Sequence, residues 1–430
     1  MQQFILISFV LVTVVVTSFV PAPMAKKPFV GLVSMGVPGN TSIDELYVHP
    51  NVYVGYVIEA NWVDLAPTNS TYNFSFIDTM LREIYDYNQN ASTILPVRAK
   101  IRVHTAGVTP QWVFDQIGGP ITYYRCDRVG TQCSNITVSL FWTQQYRAVW
   151  RNLVNQLASV YDTNPLVAEI AVSSCSSSSA EPFVIDPTAF NNIYPNYGFT
   201  WSAYEACLLG AIDDYASWNI TPIDYTFNTL PIPPSGNVTF TISVMQQFRQ
   251  RYGNRAVIAN HALHPTAGTP NDTQPYSQEF YGEFSVLGSP VEFQAFSANG
   301  NTGGNSTPAW NSTIWLGLSH YNMTEMEMFV SRDARPSGDG QFNLTELQYW
   351  ASLFTQLYPN WTEPTRSSTT NPNPSTTNPN PSTTNPNLST ADGQSINDQT
   401  IVSGAVLDSP SILVVSLIFL ILIFFLMKDE

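Results

Sequence analysis

The sequence has few cysteines and few basic residues, and both shortages exclude classes of protein. Four cysteines in 430 residues cannot form the scaffold of the fold, so the chain must bury a hydrophobic core. The 17 lysine and arginine residues are outnumbered by 32 acidic residues, which gives a formal net charge of −15 at pH 7. Because nucleic acid and anionic lipid are held mainly by lysine and arginine, neither is expected as a partner.

Motifs that bind metals or nucleotides are also missing. The five histidines are scattered, and neither a Cys-x-x-Cys nor a His-x-x-x-His spacing occurs. We therefore predict no metal site and no cofactor. No Gly-x-Gly-x-x-Gly follows the first predicted strand, which argues against a doubly wound, nucleotide-binding sheet.

The amino terminus has the pattern of a secretory signal. The run Phe4–Val20 is apolar or small, and small residues and prolines follow it as far as Ala25. Residues 1–25 are therefore predicted to be a signal peptide, with a transmembrane anchor as the alternative. Fourteen Asn-x-Ser/Thr sequons further indicate an exported glycoprotein, because each modified asparagine must be exposed.

The four cysteines are expected to form two disulfides, because an exported protein rarely leaves thiols free. Cys126 and Cys133 are close in sequence and predict a short closed loop. Cys175 and Cys207 are then left to pair with each other.

The carboxyl terminus combines a spacer with an apolar tail. Residues 362–402 are rich in Ser, Thr, Asn and Pro, with a repeated seven-residue unit, and predict an O-glycosylated stalk. In residues 403–430, small residues and a polar spacer precede the apolar run Ile412–Met427. At about 1.5 Å per residue this run is shorter than the roughly 30 Å hydrocarbon core. A glycosylphosphatidylinositol anchor is therefore favoured over a short transmembrane helix, and either would hold the protein at the extracellular face of the plasma membrane.

Residues 27–361 alternate between apolar strands and helical stretches, which predicts one α/β domain. Eight such units fit a (β/α)8 TIM barrel, with a doubly wound sheet as the alternative. The active site of such a barrel lies at the carboxyl ends of its strands. The predicted strands are Phe29–Met35, Tyr53–Glu59, Val97–His104, Leu166–Val172, Ile223–Leu230, Arg255–Asn260, Val291–Phe296 and Thr324–Val330. The predicted helices are Phe76–Asn88, Thr143–Tyr161, Trp201–Trp218, Phe240–Tyr252, Pro308–His320 and Leu344–Tyr358.

Polar side chains collect at the predicted barrel mouth and inside the barrel. After the fourth strand, the sequence SSCSSSSAEPF ends on Glu181, where small serines would leave room for a ligand. On the third strand Arg98, Lys100, Arg102 and His104 share one face. Because neither face of a barrel strand is exposed to solvent, these cations are expected to pair with Glu59, Glu292 or Glu327 in the interior.

Three segments carry a resemblance to a known group of enzymes. Val54–Pro67, Tyr72–Asp78 and Val103–Trp112 resemble the second and third barrel units of the retaining glycoside hydrolase clan that includes β-galactosidases, cellulases and xylanases. The resemblance implies a (β/α)8 fold, an acid/base glutamate after strand four and a nucleophilic glutamate at the end of strand seven. It identifies the clan and no single family.

Carried over to this chain, the resemblance makes Glu181 the acid/base residue. The asparagine that precedes that glutamate in the clan is Ala180 here, which removes a donor to the sugar. Glu292 is the candidate nucleophile, although Gln294 stands nearer the expected position, and Glu327 on strand eight is the second candidate. Independently of the resemblance, Trp62, Trp112 and Trp310 are candidates for stacking on sugar faces, with core packing as the alternative for each, and His104 is the other residue predicted to bind the substrate.

The sequence therefore predicts a membrane-anchored, extracellular glycoside hydrolase that cleaves a glycan with retention of configuration. Such an enzyme needs two carboxyl groups about 5 to 5.5 Å apart, and the acid must have a raised pKa. The alternative is an inactive barrel that serves as a glycan-binding or adhesion protein. The presence of a second carboxylate opposite Glu181 would favour the enzyme, and its absence would favour the inactive barrel.

Overall fold

The computed structural model describes most of the predicted domain. The described residues are 24–36, 39, 42–90, 94–105, 107–126, 133–177, 180–183, 186–229, 238–295, 307–329 and 344–359. The predicted signal peptide, stalk and tail lie outside these residues. Among the described residues, no helix combines the length and the apolarity needed to cross a bilayer.

Eight parallel strands close into a barrel, which confirms the predicted fold. Neighbouring strands pair in the order β1-β2-β3-β6-β7-β8-β9-β10, and β10 pairs with β1 to close the ring. This closure excludes the doubly wound sheet. A separate antiparallel hairpin of β4 and β5 follows the third barrel strand. The strands are β1 (Gly31–Met35), β2 (Tyr53–Asn61), β3 (Arg98–His104), β4 (Ile121–Cys126), β5 (Cys133–Val138), β6 (Val167–Ala171), β7 (Ile223–Thr226), β8 (Ala256–Leu263), β9 (Val291–Ala295) and β10 (Glu325–Phe329).

Helices lie between the strands and cover the barrel. In α3 the residues Ile77, Met80, Leu81 and Ile84 are buried, as expected when apolar residues recur every three or four positions. Helix α5 begins one residue after Thr143, because the Thr143 hydroxyl caps it by accepting from the Tyr146 backbone N–H. The helices are α1 (Asp44–Val48), α2 (Trp62–Leu65), α3 (Ser75–Gln89), α4 (Gln111–Ile117), α5 (Gln144–Tyr161), α6 (Trp201–Asp214), α7 (Val238–Tyr252), α8 (Ser277–Leu287), α9 (Thr307–His320) and α10 (Leu344–Leu357), with short π and 3₁₀ turns at Ala189–Ile193, Tyr194–Tyr197 and Gly253–Arg255.

One difference from the predicted elements and one predicted contact bear on the site. Strand β8 continues past the predicted end at Asn260 to Leu263, which places His261 on a barrel strand. The loop after β6 is fastened to α6, because Cys175 and Cys207 form a disulfide with 5.9 Å between their α-carbons. This pairing was predicted and is confirmed. Cys126 lies opposite Cys133 in the hairpin, but their side chains are outside the described part of the chain, and that disulfide stays a prediction.

Candidate active site

The barrel interior holds a buried ionic network centred on Lys100. Lys100 is fully buried, and its Nζ atom lies 3.2 Å from Glu169, 2.9 Å from Asp224, 2.6 Å from Glu325 and 3.0 Å from Glu327. These carboxylates come from β6, β7 and β10, so one lysine links strands across the barrel. A buried charge is tolerated when opposite charges surround it in this way.

Arg102 and His104 extend the network towards the mouth. Arg102 donates to Glu59 at 3.1 Å and to Glu327 at 2.6 Å. His104, at the carboxyl end of β3, hydrogen-bonds Glu59 and is 23% exposed. The predicted pairing of these cations with Glu59 and Glu327 is therefore confirmed. Arg98 stands apart, because it donates to backbone carbonyls before β1.

Glu181 and Glu292 both hydrogen-bond to the imidazole ring of His261. Glu181 lies after β6, Glu292 lies on β9, and His261 lies on β8 between them. His261 Nδ1 is 2.8 Å from Glu181 Oε1, and His261 Nε2 is 3.2 Å from Glu292 Oε2. Glu181 is 23% exposed, whereas Glu292 is fully buried. The two carboxyl groups predicted from strands four and seven are thus brought to one place, with an imidazole between them.

The pairing of β9 with β10 shows that Glu292 lies farther from the barrel mouth than Gln294. In the pairing with β10, Glu292 is level with Glu325, and Gln294 is level with Glu327. Gln294 is therefore the residue nearer the barrel mouth, as the sequence suggested. Gln294 donates to Glu327 Oε2 at 3.3 Å, and Glu327 Oε2 is also 3.8 Å from His261 Nε2. Glu327 is consequently the other carboxylate within reach of the same histidine.

The protonation of these groups differs from the sequence-based expectation. Burial raises the pKa of Glu292 to about 7, although His261 opposes the shift. Burial would also raise the pKa of Glu181, but the charge and hydrogen bond of His261 and the charge of Arg102 lower it below its usual value. Burial acts against the charge of His261, yet Glu292 and Glu181 hold its pKa well above the usual value. The expectation that Glu181 carries the raised pKa is wrong for the free protein, because a buried cation faces it.

The pKa values of the two acids of β10 are shifted in opposite directions. Burial raises the pKa of Glu325 well above its usual value, and the charge of Glu169 adds to this effect. Burial would raise the pKa of Glu327 too, but the charges of Arg102 and Lys100 hold that pKa well below its usual value. The interior cations therefore favour the ionised form of Glu327.

The described serines before Glu181 are buried and do not line an open cleft as predicted. The described serines pack beneath the loop, where the Ser173 N–H donates to the Tyr215 hydroxyl and the Ser174 hydroxyl donates to Asp214. Their small size allows a tight, buried turn that the disulfide then fastens. The buried serines are Ser173, Ser174, Ser176 and Ser177.

Two of the three predicted sugar-binding tryptophans, Trp62 and Trp310, are corrected, and the role of Trp112 stays a prediction. Trp62 is fully buried and packs edge-on against Tyr146 and Trp150, so it belongs to the core between β2 and α5. Trp310 is buried as well, at 7% exposure. Trp112 is partly buried, packs on the core and donates to the Ala66 carbonyl at 2.8 Å. The barrel needs large side chains to fill the space beneath its helices, and these three rings supply part of that filling.

His261 is the residue of this site that the sequence did not indicate. Its neighbours in Ala256–Leu263 form an ordinary apolar strand, and β8 was predicted to end before it. The available signal was the polar pair Asn260-His261 at the end of strand six, where barrel active-site residues lie.

Comparison with known proteins agrees with the group indicated by the sequence. The model of the glycoside hydrolase family 42, described as β-galactosidase, matches residues 45–179. This stretch contains β2, β3 and β6 and ends just before Glu181. The resemblance to the glycoside hydrolase clan is confirmed. The matched residues also include all three segments that carried the resemblance in the sequence.

Solved structures of glycoside hydrolases are similar to this glycoside hydrolase-like barrel at low identity. A β-galactosidase from the psychrophilic Marinomonas ef1 is 13% identical, with 77% of this chain and 60% of that chain covered and a TM-score of 0.43. An endo-β-1,4-glucanase from Xanthomonas axonopodis pv. citri is 12% identical, with 77% and 99% covered and a TM-score of 0.46. An endo-glycoceramidase II from Rhodococcus sp. is 9% identical, with 76% and 80% covered and a TM-score of 0.45. These scores add nothing to the fold that strand pairing already establishes, and no match was found among the curated proteins.

Proposed function

We propose that this protein hydrolyses β-glycosidic bonds in glycans with retention of configuration. The observation that carries the proposal is that Glu181 and Glu292 both contact His261, because Glu181 follows the chain's fourth barrel strand and Glu292 lies on the seventh. Glu181, which is partly exposed at the mouth, is assigned as the acid/base residue. Glu292 is assigned as the nucleophile, with Glu327 as the other candidate.

In the proposed reaction the two carboxyl groups act on opposite sides of the anomeric carbon. One attacks that carbon while the other protonates the leaving oxygen, and the second then takes a proton from the water that releases the sugar. The two groups must face each other across about 5 to 5.5 Å for this purpose. His261 lies between them in the free protein, so the proposal requires the imidazole to turn aside when a glycan enters.

The fixed charges of the barrel would assist at the transition state. Glu327 is held ionised by Lys100 and Arg102 at 3.0 and 2.6 Å, and it reaches the same histidine. A buried carboxylate near the reacting carbon stabilises the positive charge that develops there. This role would remain even if Glu292 is the attacking group.

A glycan-binding barrel without catalysis is the second candidate. Two observations favour it: Gln294, which cannot attack a sugar, lies nearer the mouth than Glu292, and Ala180 replaces the clan's asparagine. The experiment that separates the candidates is an assay of the purified full-length protein on aryl β-galactosides, β-glucosides and β-mannosides. Phenol release that follows the protein through purification supports the enzyme, and glycan binding without release supports the alternative.

We further propose that the barrel stands outside the cell on a membrane-anchored stalk. The sequence supports this through its amino-terminal apolar run, its repeated stalk and its apolar tail. Exposure of sequon asparagines adds support, because oligosaccharide transfer needs an accessible side chain. Exposed sequon asparagines among the described residues are Asn69, Asn73, Asn90, Asn135, Asn219, Asn271 and Asn322.

Phosphatidylinositol-specific phospholipase should release the protein from intact cells into the medium. The expected reason is that the tail after Ser403 is exchanged for a lipid, which the enzyme cleaves. Immunoblotting of medium and cells measures the release, with an integral membrane protein as the control. Retention on the cells, together with recovery of peptides from residues 419–427 in the mature chain, would identify a spanning helix instead.

A further inference from the structure

We propose that His261, Glu292 and Glu327 form a binding site for one divalent transition-metal ion such as Zn²⁺. Adjacent strands β8, β9 and β10 each supply one of these side chains. His261 Nε2 is 3.2 Å from Glu292 Oε2 and 3.8 Å from Glu327 Oε2, and one ligand atom from each residue lies within 4.8 Å of the others. The inference goes beyond glycoside hydrolysis and does not depend on it.

The spacing of the three atoms suits a small transition metal. Tetrahedral Zn²⁺ has bonds of about 2.0 to 2.2 Å to nitrogen and oxygen, so its ligand atoms lie roughly 3.3 to 3.6 Å apart. The separations from Nε2 are close to this range without any movement of the backbone. One nitrogen and two carboxylate oxygens leave the fourth position for water or a ligand, as in catalytic zinc sites. The imidazole ligand disfavours Mg²⁺ and Ca²⁺, which prefer oxygen.

The outer contacts of the three side chains resemble those of a metal site. A metal-binding histidine usually donates its other ring N–H to a carboxylate, which fixes the ring. His261 Nδ1 has such a partner in Glu181 Oε1 at 2.8 Å. Glu327 is held in turn by Arg102 on one oxygen and by Gln294 on the oxygen that faces the histidine.

A second observation at Glu292 points to a ligand. Glu292 is fully buried, and its Oε1 atom has no hydrogen-bond partner among the described residues. Leaving that oxygen unsatisfied costs free energy, and an ion held by both carboxylate oxygens of Glu292, Oε1 and the Oε2 that faces His261, would remove this cost.

The charge balance of the barrel interior points the same way. Six buried carboxyl groups meet two permanently basic side chains, Lys100 and Arg102, among the described residues. Protons or a cation must compensate the excess. The six groups are Glu59, Glu169, Asp224, Glu292, Glu325 and Glu327.

Metal binding can be measured on the purified full-length protein without any glycoside. After removal of metal by chelation and dialysis, Zn²⁺ should bind at one ion per chain in calorimetry, and Co²⁺ should give visible absorption bands. His261→Ala should weaken Zn²⁺ binding by at least about a hundredfold, and Glu181→Ala by about ten- to a hundredfold through the lost ring contact. His264→Ala is the matched control, because His264 is a partly exposed histidine on the following loop and should bind like the wild type.

Absence of Zn²⁺ and Co²⁺ binding by the wild type would overturn the site, as would equal binding by His261→Ala. Circular dichroism checks that each variant is folded, and Glu292→Gln, which keeps the side chain's shape, provides a second test if His261→Ala is not. Zn²⁺ at this position would occupy the proposed nucleophile, so it should also inhibit hydrolysis. Hydrolysis is therefore assayed on the metal-free protein. Hydrolysis by a protein that binds no metal rejects the metal site alone, whereas metal binding by a protein whose metal-free form does not hydrolyse glycosides rejects the proposed function alone.

Discussion

Glu181→Gln should slow glycoside hydrolysis by about a hundredfold to ten-thousandfold while the fold and glycan binding persist. The amide has nearly the shape of the carboxyl group but can neither protonate the leaving oxygen nor activate water, and this proton transfer is usually worth that factor. Aryl glycosides with good leaving groups should lose less in the first step, because they need no proton. Initial rates on two aryl β-glycosides of different leaving-group acidity measure the effect.

Azide provides the sharper test of the role of Glu181. It attacks a glycosyl-enzyme without help from a base, so it should restore turnover of Glu181→Gln and give a β-glycosyl azide. Glu83→Gln, an exposed substitution on α3, is the matched control and should keep the wild-type rate. Wild-type turnover by Glu181→Gln would remove Glu181 from the acid/base role.

Lys100→Met should destabilise the barrel by about 3 to 5 kcal/mol. Lys100 is fully buried, and its ammonium group is the common partner of four carboxylates from three strands. Removing one partner of a buried ionic cluster leaves like charges uncompensated, which costs about that amount. The midpoint and slope of urea unfolding give the change in the free energy of unfolding.

Lys27→Met is the matched control for this prediction, because Lys27 is exposed before the first strand. It should change the free energy of unfolding by no more than about 0.5 kcal/mol. If Lys100→Met is as stable as Lys27→Met, the interior network does not depend on the lysine, and protonation of its carboxylates would be sufficient to hold the barrel.

The barrel could be predicted because its signals are local. Strands such as β8 are mainly apolar segments between polar stretches, and helices such as α3 have a 3.6-residue period, so the number of strand-helix units predicted the architecture. The hairpin β4–β5 and the helices α1, α2, α4 and α8 were not predicted. Gly282 interrupts the apolar pattern of α8, and the hairpin strands are short and polar on one side.

The site was only partly predictable because its contacts are not local. The alternation of basic and apolar residues along β3 indicated that the basic side chains line the barrel interior, since neither face of a barrel strand is exposed to solvent. No local pattern states that His261 lies between Glu181 and Glu292, which are distant from it in sequence. The sequence also could not distinguish a tryptophan that stacks on a sugar from one that packs in the core, because the same residue type serves both roles. Trp62 packs in the core. The same limitation applies to metals, since spacing rules detect ligands on one element and this candidate set comes from three strands.

The most direct test of the proposed function is the stereochemistry of the first product released by the wild-type protein. Proton NMR of an aryl β-glycoside reaction, recorded before mutarotation, distinguishes the two anomers. The proposed double displacement predicts that the β-anomer appears first. Initial formation of the α-anomer would contradict it and would match an inverting enzyme whose carboxyl groups stay on either side of His261, and no hydrolysis of any aryl β-glycoside would contradict the enzyme itself.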